Sequence, residues 1–305
     1  MTPPARARGF AAVLAIAVAG AVASIGSYLA WDTLLALRHV ENMRAASQAD
    51  LAVRAAVKWA SSAVGQDDAR IDHLGESWAR SPVTVAIEGV QVEGTIRDEQ
   101  AKFNVNVLAG DGDRSEAEIT AFKRILARAK LPESLAEAVI DWLDTDSVPA
   151  GTGGAEDAYY LGLDRPYRTA GRQITDLGEL VLVKGFSAEG LARLSAYVTA
   201  LPGVTRVNVN TANPELVAAL LPGVPESDLR ARLAQRDRQP FRTAEEFAQK
   251  LPTEAVQAAT ELCDVRSEYF TATGTVRVGR VDTSFSALFT RKALAVLRVV
   301  KGAGA

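Results

Sequence analysis

The chain has 305 residues, 48% of them apolar, and 34 Lys and Arg against 37 Asp and Glu give a formal net charge of −3. That supplies enough apolar material for a sizeable core and more than one folding unit, and it excludes a disordered chain or one drawn by bulk charge to nucleic acid. One cysteine, Cys263, and two histidines, His39 and His73, exclude an intramolecular disulfide and argue against Cys- or His-built zinc sites and most Ser/His or Cys/His hydrolases.

Residues 6–32 read RARGFAAVLAIAVAGAVASIGSYLAWD, in which Arg6 and Arg8 precede about twenty uncharged residues. Small-residue sites such as Ala19-Gly20-Ala21 would suit a secretory signal. The apolar run nevertheless continues through Ile25, Tyr28, Leu29 and Trp31, long enough to span about 30 Å of hydrocarbon, so its length favours an anchor. No Gly or Pro follows Asp32 before Gly65. Leu34, Leu35, Leu37, Val40, Met43, Ala46, Leu51, Val53, Val57 and Trp59 recur at helical spacing, which predicts one helix from Phe10 to about Ser62 with its outer half packed on a head.

The basic leader, Gly9-Phe10 and the uninterrupted apolar helix together resemble a type IV prepilin leader. The resemblance implies cleavage between Gly9 and Phe10 by a prepilin peptidase and N-methylation of Phe10. Most pilins carry glutamate as the fifth mature residue, where it pairs with the N-terminal amine of the preceding subunit; Leu14 stands there in this chain. A subunit with leucine at that position cannot dock beneath another in that way.

Residues 63–82 read as a connection with a short helix around Trp78. VTVAIEG (83–89), VQVEGTIRD (90–98) and KFNVNVL (102–108) alternate apolar and polar residues and predict an antiparallel meander. From Ser115 to about Cys263 the pattern turns helical, with Pro, Gly, Ser, Thr and Asp at the segment ends. The acidic loop DWLDTDSVPAGTGGAEDAYY (141–160) offers Asp141, Asp144, Asp146, Glu156 and Asp157 as hard oxygen donors on a flexible loop. Its spacing is not that of an EF-hand, and the residues alone leave Ca2+ and a solvated acidic loop both open. Asp111 and Asp113 form a weaker second candidate, read chiefly as a turn and helix entry. No second catalytic carboxylate across a cleft and no aromatic sugar platform point to an enzyme.

VTRVNVNTANPELVAALLPGVPESDLRARLAQRDRQPFRTAEEFAQKL (204–251) resembles a helix-hairpin-helix DNA-binding unit, which supports an alternative reading as a membrane-anchored periplasmic DNA-binding protein. Against it, Pro222-Gly223-Val224-Pro225 places a proline where a backbone donor is needed. Arg230, Arg232, Arg236 and Arg238 are also interleaved with Glu226, Asp228 and Asp237. The runs FNVN and VNVN place Asn104, Asn106, Asn208 and Asn210 where asparagine satisfies backbone groups ahead of a helix, with a weak internal duplication as the other reading. Strand pattern returns in EYFTATGTVRVG and TSFSALFTRKALAVLRVV.

The expected fold is therefore α+β: a long N-terminal helix on a small antiparallel sheet, with an all-helical domain inserted between strands. The divisions are a leader at 1–9, the helix at 10–62, the first part of the sheet at 63–110, the helical domain at 111–265 and the second part of the sheet at 266–305. The helix-hairpin-helix-like portion falls at 204–252. This plan, with GTIRDEQAKFNVNVL, AVIDWLDTDSVPAGTGGAEDAYY, LGELVLVKGF, VNVNTANPELVAALLPG and RSEYFTATGTVRVG in that order, resembles the K minor pseudopilins of the type II secretion system. The resemblance covers essentially the whole chain, and Leu14 agrees with it. It implies a single-pass inner-membrane protein with a periplasmic head that joins the I and J minor pseudopilins, with H nearby, at the tip of a pseudopilus exporting folded proteins. It also implies a structural calcium in the helical domain, with Asp144, Asp146, Glu156 and Asp157 as ligands and Asp141 as a further candidate.

Overall fold

The computed structural model describes residues 5–80, 82–109, 115–249, 251–292 and 295–303. Helix α1 runs from Ala5 to Gly65, 61 residues or about 90 Å at 1.5 Å per residue. Its alanine-rich sequence without proline sustains that length. From Phe10 to Arg44 every side chain is exposed, and this part is long and apolar enough to cross a membrane. From Ala49 onward one face is buried, through Val53, Val57, Ala60 and Val64, the spacing that keeps residues on one side of a helix. The apolar stripe read from sequence is thus corrected in part. Val53 and Val57 are buried, whereas Leu34, Leu35, Leu37, Val40, Met43, Leu51 and Trp59 stay exposed, because the head reaches α1 only from about Ala45.

Strands β1 (Val83–Ile87) and β2 (Val90–Asp98) follow as a hairpin. The chain then passes through β3 (Phe103–Asn104), α2 (Glu116–Arg128), α3 (Leu135–Leu143), α4 (Asp157–Tyr160), α5 (Ala188–Leu194) and β4 (Val198–Thr199). It continues as β5 (Val207–Asn208), α6 (Pro214–Leu220), α7 (Glu226–Leu233), α8 (Ala244–Ala248), α9 (Thr253–Leu262) and β6 (Cys263–Asp264). It returns to the sheet as β7 (Tyr269–Val278), β8 (Val281–Thr290) and β9 (Ala295–Ala303). The five-stranded antiparallel sheet has the order β1-β2-β7-β8-β9, so the whole helical unit is an insertion between two neighbouring strands. Helix α1 lies across β7, β8 and β2, and its buried face meets Ile96, Phe270, Ala272, Val276, Phe285, Ala287 and Phe289. Trp78 closes this core edge-on to Phe270 at 5.2 Å. Around it the chain makes turns and no helix.

The predicted third meander strand is a different object. Phe103–Asn104 leaves the sheet, pairs in parallel with Val198–Thr199 and gives way to a 3-10 turn at Val105–Leu108. All of 103–108 is buried, so its alternation does not mark a strand with one wet face. The helical unit therefore begins at Glu99, directly after β2, rather than at 111. LGELVL also folds as a 3-10 segment, Leu177–Leu182, instead of an α-helix. The final run, read as one stretch, is the two strands β8 and β9.

Within the helical unit one plan occurs twice. The Asn104 side chain accepts from the Asn106 amide at 3.1 Å, and the Asn106 side chain holds both backbone groups of Ile174, at 2.9 and 2.8 Å. The Asn208 side chain accepts from the Asn210 amide at 2.9 Å, and the Asn210 side chain holds both backbone groups of Phe241, each at 3.0 Å. Each copy ends in a two-residue parallel pair, β3 with β4 and β5 with β6. Helices α2 and α3 of the first copy thus correspond to α6 and α7 of the second, and the acidic loop extends the connection after α3. Cys263 is buried in β6, where burial pushes its thiol up to about 12.

Candidate functional site

The acidic loop starts where α3 stops. Apart from Glu137, the residues of α3 are buried, and it ends on Trp142 and Leu143. Trp142 packs edge-on to Tyr160 at 5.2 Å and to Tyr167 at 6.1 Å, so the helix end and the far side of the loop share an aromatic floor. Two acids one helical turn apart on α3 tie the loop down. Glu137 accepts from the Gly153 amide at 2.7 Å, and Asp141 accepts from the Ala150 amide at 2.8 Å. A Cβ at position 154 would collide with the Asp141 carboxylate, so glycine is what lets the loop return this close. From the opposite side Lys184 donates to the Gly154 carbonyl at 2.9 Å, its ammonium over the Tyr159 ring.

This folding gathers Asp144, Asp146 and Glu156, one carboxylate oxygen of each lying within 4.8 Å of the others. Two oxygens on one Ca2+, each at about 2.3–2.6 Å, can be no more than about 5 Å apart, so the three are close enough to share an ion. Asp144 and Glu156 are buried and Asp146 is exposed. Glu156 Oε1 is buried with no hydrogen-bond partner among the described residues. Burial first, then the charges of Asp141, Asp144, Asp146 and Asp157, push its carboxyl up to about 7. Buried like charges without a cation repel, and a divalent ion would cancel that repulsion. Donor chemistry and spacing therefore fit a hard cation, with loop carbonyls and water as the remaining donors such an ion takes.

The other candidates fall elsewhere. Asp157 lies outside the trio. It accepts from the Thr169 amide at 3.0 Å, from the Thr169 hydroxyl at 3.1 Å and from Arg168 at 2.8 Å. Those donors, the Thr169 amide foremost, hold its carboxyl below the usual range. Asp141 sits under the loop as a clamp, and Asp111 and Asp113 lie outside the described residues. Glu137, Lys184 and Thr169 were not singled out from sequence. Only Glu137 carried a signal, its spacing of four residues from Asp141.

At the other end, Gly9 and Phe10 lie within α1, and Leu14, 54% exposed, stands one turn beyond Phe10 on the same face. In the helix-hairpin-helix-like segment the arginines are largely engaged within the chain. Arg230 pairs with Glu215 and Glu226, Arg232 donates to the Phe247 carbonyl at 3.4 Å, and buried Arg236 donates to the Val209 carbonyl at 2.9 Å. Pro225 caps α7 without an N–H to offer. Arg230 is paired with acids and Arg232 and Arg236 with backbone carbonyls, which leaves exposed Arg238 as the one of the four without such a bond among the described residues, so this geometry lends the DNA-binding alternative no support.

Comparison with known proteins gives a consistent picture. Two family models, both described as type II secretion system (T2SS), protein K, match residues 101–203 and 207–266, the ranges of the two copies. Type II secretion system protein K of Aeromonas hydrophila is 30% identical over 323 residues, covering 97% of this chain and 98% of that protein. The protein of the same name from Pseudomonas aeruginosa is 33% identical over 218 residues, covering 68% of this chain and 64% of the relative. Among solved structures, the GspK-GspI-GspJ complex from the type 2 secretion system of enterotoxigenic Escherichia coli matches with a TM-score of 0.77 at 24% identity. That match covers 87% of this chain and all of the other.

Proposed function

The chain belongs to the type II secretion system protein K family, and from that premise we propose that it is the minor pseudopilin that starts pseudopilus assembly and stays at the tip. It sits in the inner membrane as a single pass, with Arg6 and Arg8 on the cytoplasmic side and the head in the periplasm. Prepilin peptidase removes residues 1–9 and methylates Phe10. The partners are the I and J minor pseudopilins, the components of the similar solved complex, with H nearby. A Ca2+ held by Asp144, Asp146 and Glu156 stiffens the helical unit. The role is structural, in export of folded proteins across the outer membrane, with no catalytic step assigned to the chain.

The observation that carries this reading is the combination of α1 with the lateral unit. Helix α1 is bare on all sides over its first 35 residues described in full, Phe10 to Arg44, as a helix that packs among others requires. The helical unit is inserted between the end of β2 and the start of β7, adding its bulk to the head, and such bulk repeats poorly in a packed shaft. Leu14 removes the carboxylate that would pair with an amine of another subunit.

Leu14→Glu tests the placement. An unpaired carboxylate in the bilayer costs about 3 kcal/mol, and a tip subunit has no subunit ahead of it to supply the amine. Secretion is expected to fall several-fold while the variant still co-purifies with I and J through its head. Wild-type secretion by Leu14→Glu would count against tip placement.

A further inference from the structure

A second set of buried ionisable groups lies where the sheet, the loop after α1 and the second copy of the helical unit meet. Asp98, the last residue of β2, is 6% exposed, and Asp72, in the loop after α1, is fully buried. Asp98 accepts from the Gln100 amide at 2.8 Å, the Thr211 hydroxyl at 2.6 Å, the Ser267 hydroxyl at 2.7 Å and the Asn208 amide group at 3.1 Å. Asn208 also donates to the Asp72 carbonyl at 3.1 Å, and the Ser267 amide donates to the Asp72 carboxylate at 2.7 Å. Arg291, at the end of β8, grips Asp72 with two nitrogens, at 2.6 and 3.0 Å. Beside this node, a Cβ at position 75 would collide with the Asp237 carbonyl, so loop and helical unit are in direct backbone contact.

The charges do not balance. Of the two buried carboxylates, Asp72 is paired with the Arg291 guanidinium, while Asp98 is held by neutral donors. Asp67, His73 and Glu76 stand in the same loop, and the C-terminal end of α1 adds its negative dipole. Flanking Asp98 on its own strand and turn are Arg97 and Glu99, the latter bound to Thr199. Beyond Ser267, Arg266 is paired with Asp264, and Glu268 is held by Thr290 and the Lys292 amide. From the helical unit Asn208 and Thr211 face Asp98, and neither titrates.

We propose that the Asp98–Asp72 node is a proton-responsive latch between the helical unit and the sheet, tightest when Asp98 carries a proton and loosest when both carboxylates are ionised. The hydrogen bonds survive protonation. The Thr211 hydroxyl lies 3.4 Å from the Asn208 carbonyl and can turn to it, leaving its oxygen to accept the Asp98 proton. Burial pushes the Asp98 carboxyl up to about 6 despite the Thr211 and Ser267 donors, and burial likewise pushes Glu76 up to about 7. An open junction would return Asp98 to about 4. The closed state then binds the proton between about pH 4 and 6 where the open state does not, so closure strengthens as pH falls through that window and weakens as it rises.

The test is hydrogen exchange on the full chain in detergent with saturating Ca2+, so that the acidic loop is held constant. Protection of the Gln100 and Ser267 amides is measured from pH 5 to 8 against reference amides in α2. For a shift from about 4 to about 6, relative protection should fall about tenfold across that range. Asp98→Asn should flatten the profile. Ser267→Ala, which removes a hydroxyl that donates to the ionised form, should move the midpoint upward. A flat wild-type profile, an unchanged slope in Asp98→Asn or an unmoved midpoint in Ser267→Ala would overturn the latch.

Discussion

Glu156 is the residue on which the metal reading turns, because it combines burial, a carboxylate oxygen without a hydrogen-bond partner among the described residues and repulsion from its neighbours. A ligand present at about a hundred times its Kd stabilises by about 2.7 kcal/mol, and each kcal/mol moves Tm by about 2–4 °C at this size. EGTA should therefore lower the Tm of the solubilised chain by about 5–10 °C, and added Ca2+ should restore it. Glu156→Gln, which keeps the volume and removes the charge, should abolish most of that response. Asp157→Asn should keep it, with only a small loss of stability through the weakened Arg168 and Thr169 bonds. The reverse pattern in calorimetry would mean the ligands are misassigned. The acids were legible because five carboxylates on a Gly-containing loop are conspicuous. Their sorting was not legible, since Asp157 and Glu156 are adjacent in sequence and only the fold turns one to Thr169 and the other inward.

At the level of elements, α1 makes the sharpest contrast between what sequence reveals and what packing decides. Its existence follows from alanine content and the absence of breakers, but its buried face does not. Leu51 and Val53 both fit an apolar stripe, yet Val53 is buried under the sheet and Leu51 is 64% exposed. Val53→Asp should cost at least about 4 kcal/mol, since it buries a charge with no partner, whereas Leu51→Asp should stay within about 0.5 kcal/mol. Urea unfolding distinguishes them, and equal midpoints would mean the face is wrongly assigned. The sheet hairpins were legible from alternation and turns. Strands β3 to β6 were not, because two-residue parallel pairs carry no period and depend on asparagine side chains that hold segments 68 or 31 residues away.

Over the whole molecule, a pilin-like body and a twice-repeated helical unit are joined by the buried node around Asp98, Asp72 and Arg291. The order of these parts could be read from the change of hydrophobic period along the chain. The junction could not, since it brings together Asp72, Asp98, Asn208, Ser267 and Arg291 from across the sequence. A label on the helical unit reports its position along an assembled filament directly. Val204 is exposed on that unit and the native Cys263 is buried, so Val204→Cys offers a surface thiol for a gold label. Electron microscopy of labelled pseudopili should find a single label at one end of each filament. Labels repeated along the shaft would contradict a tip subunit.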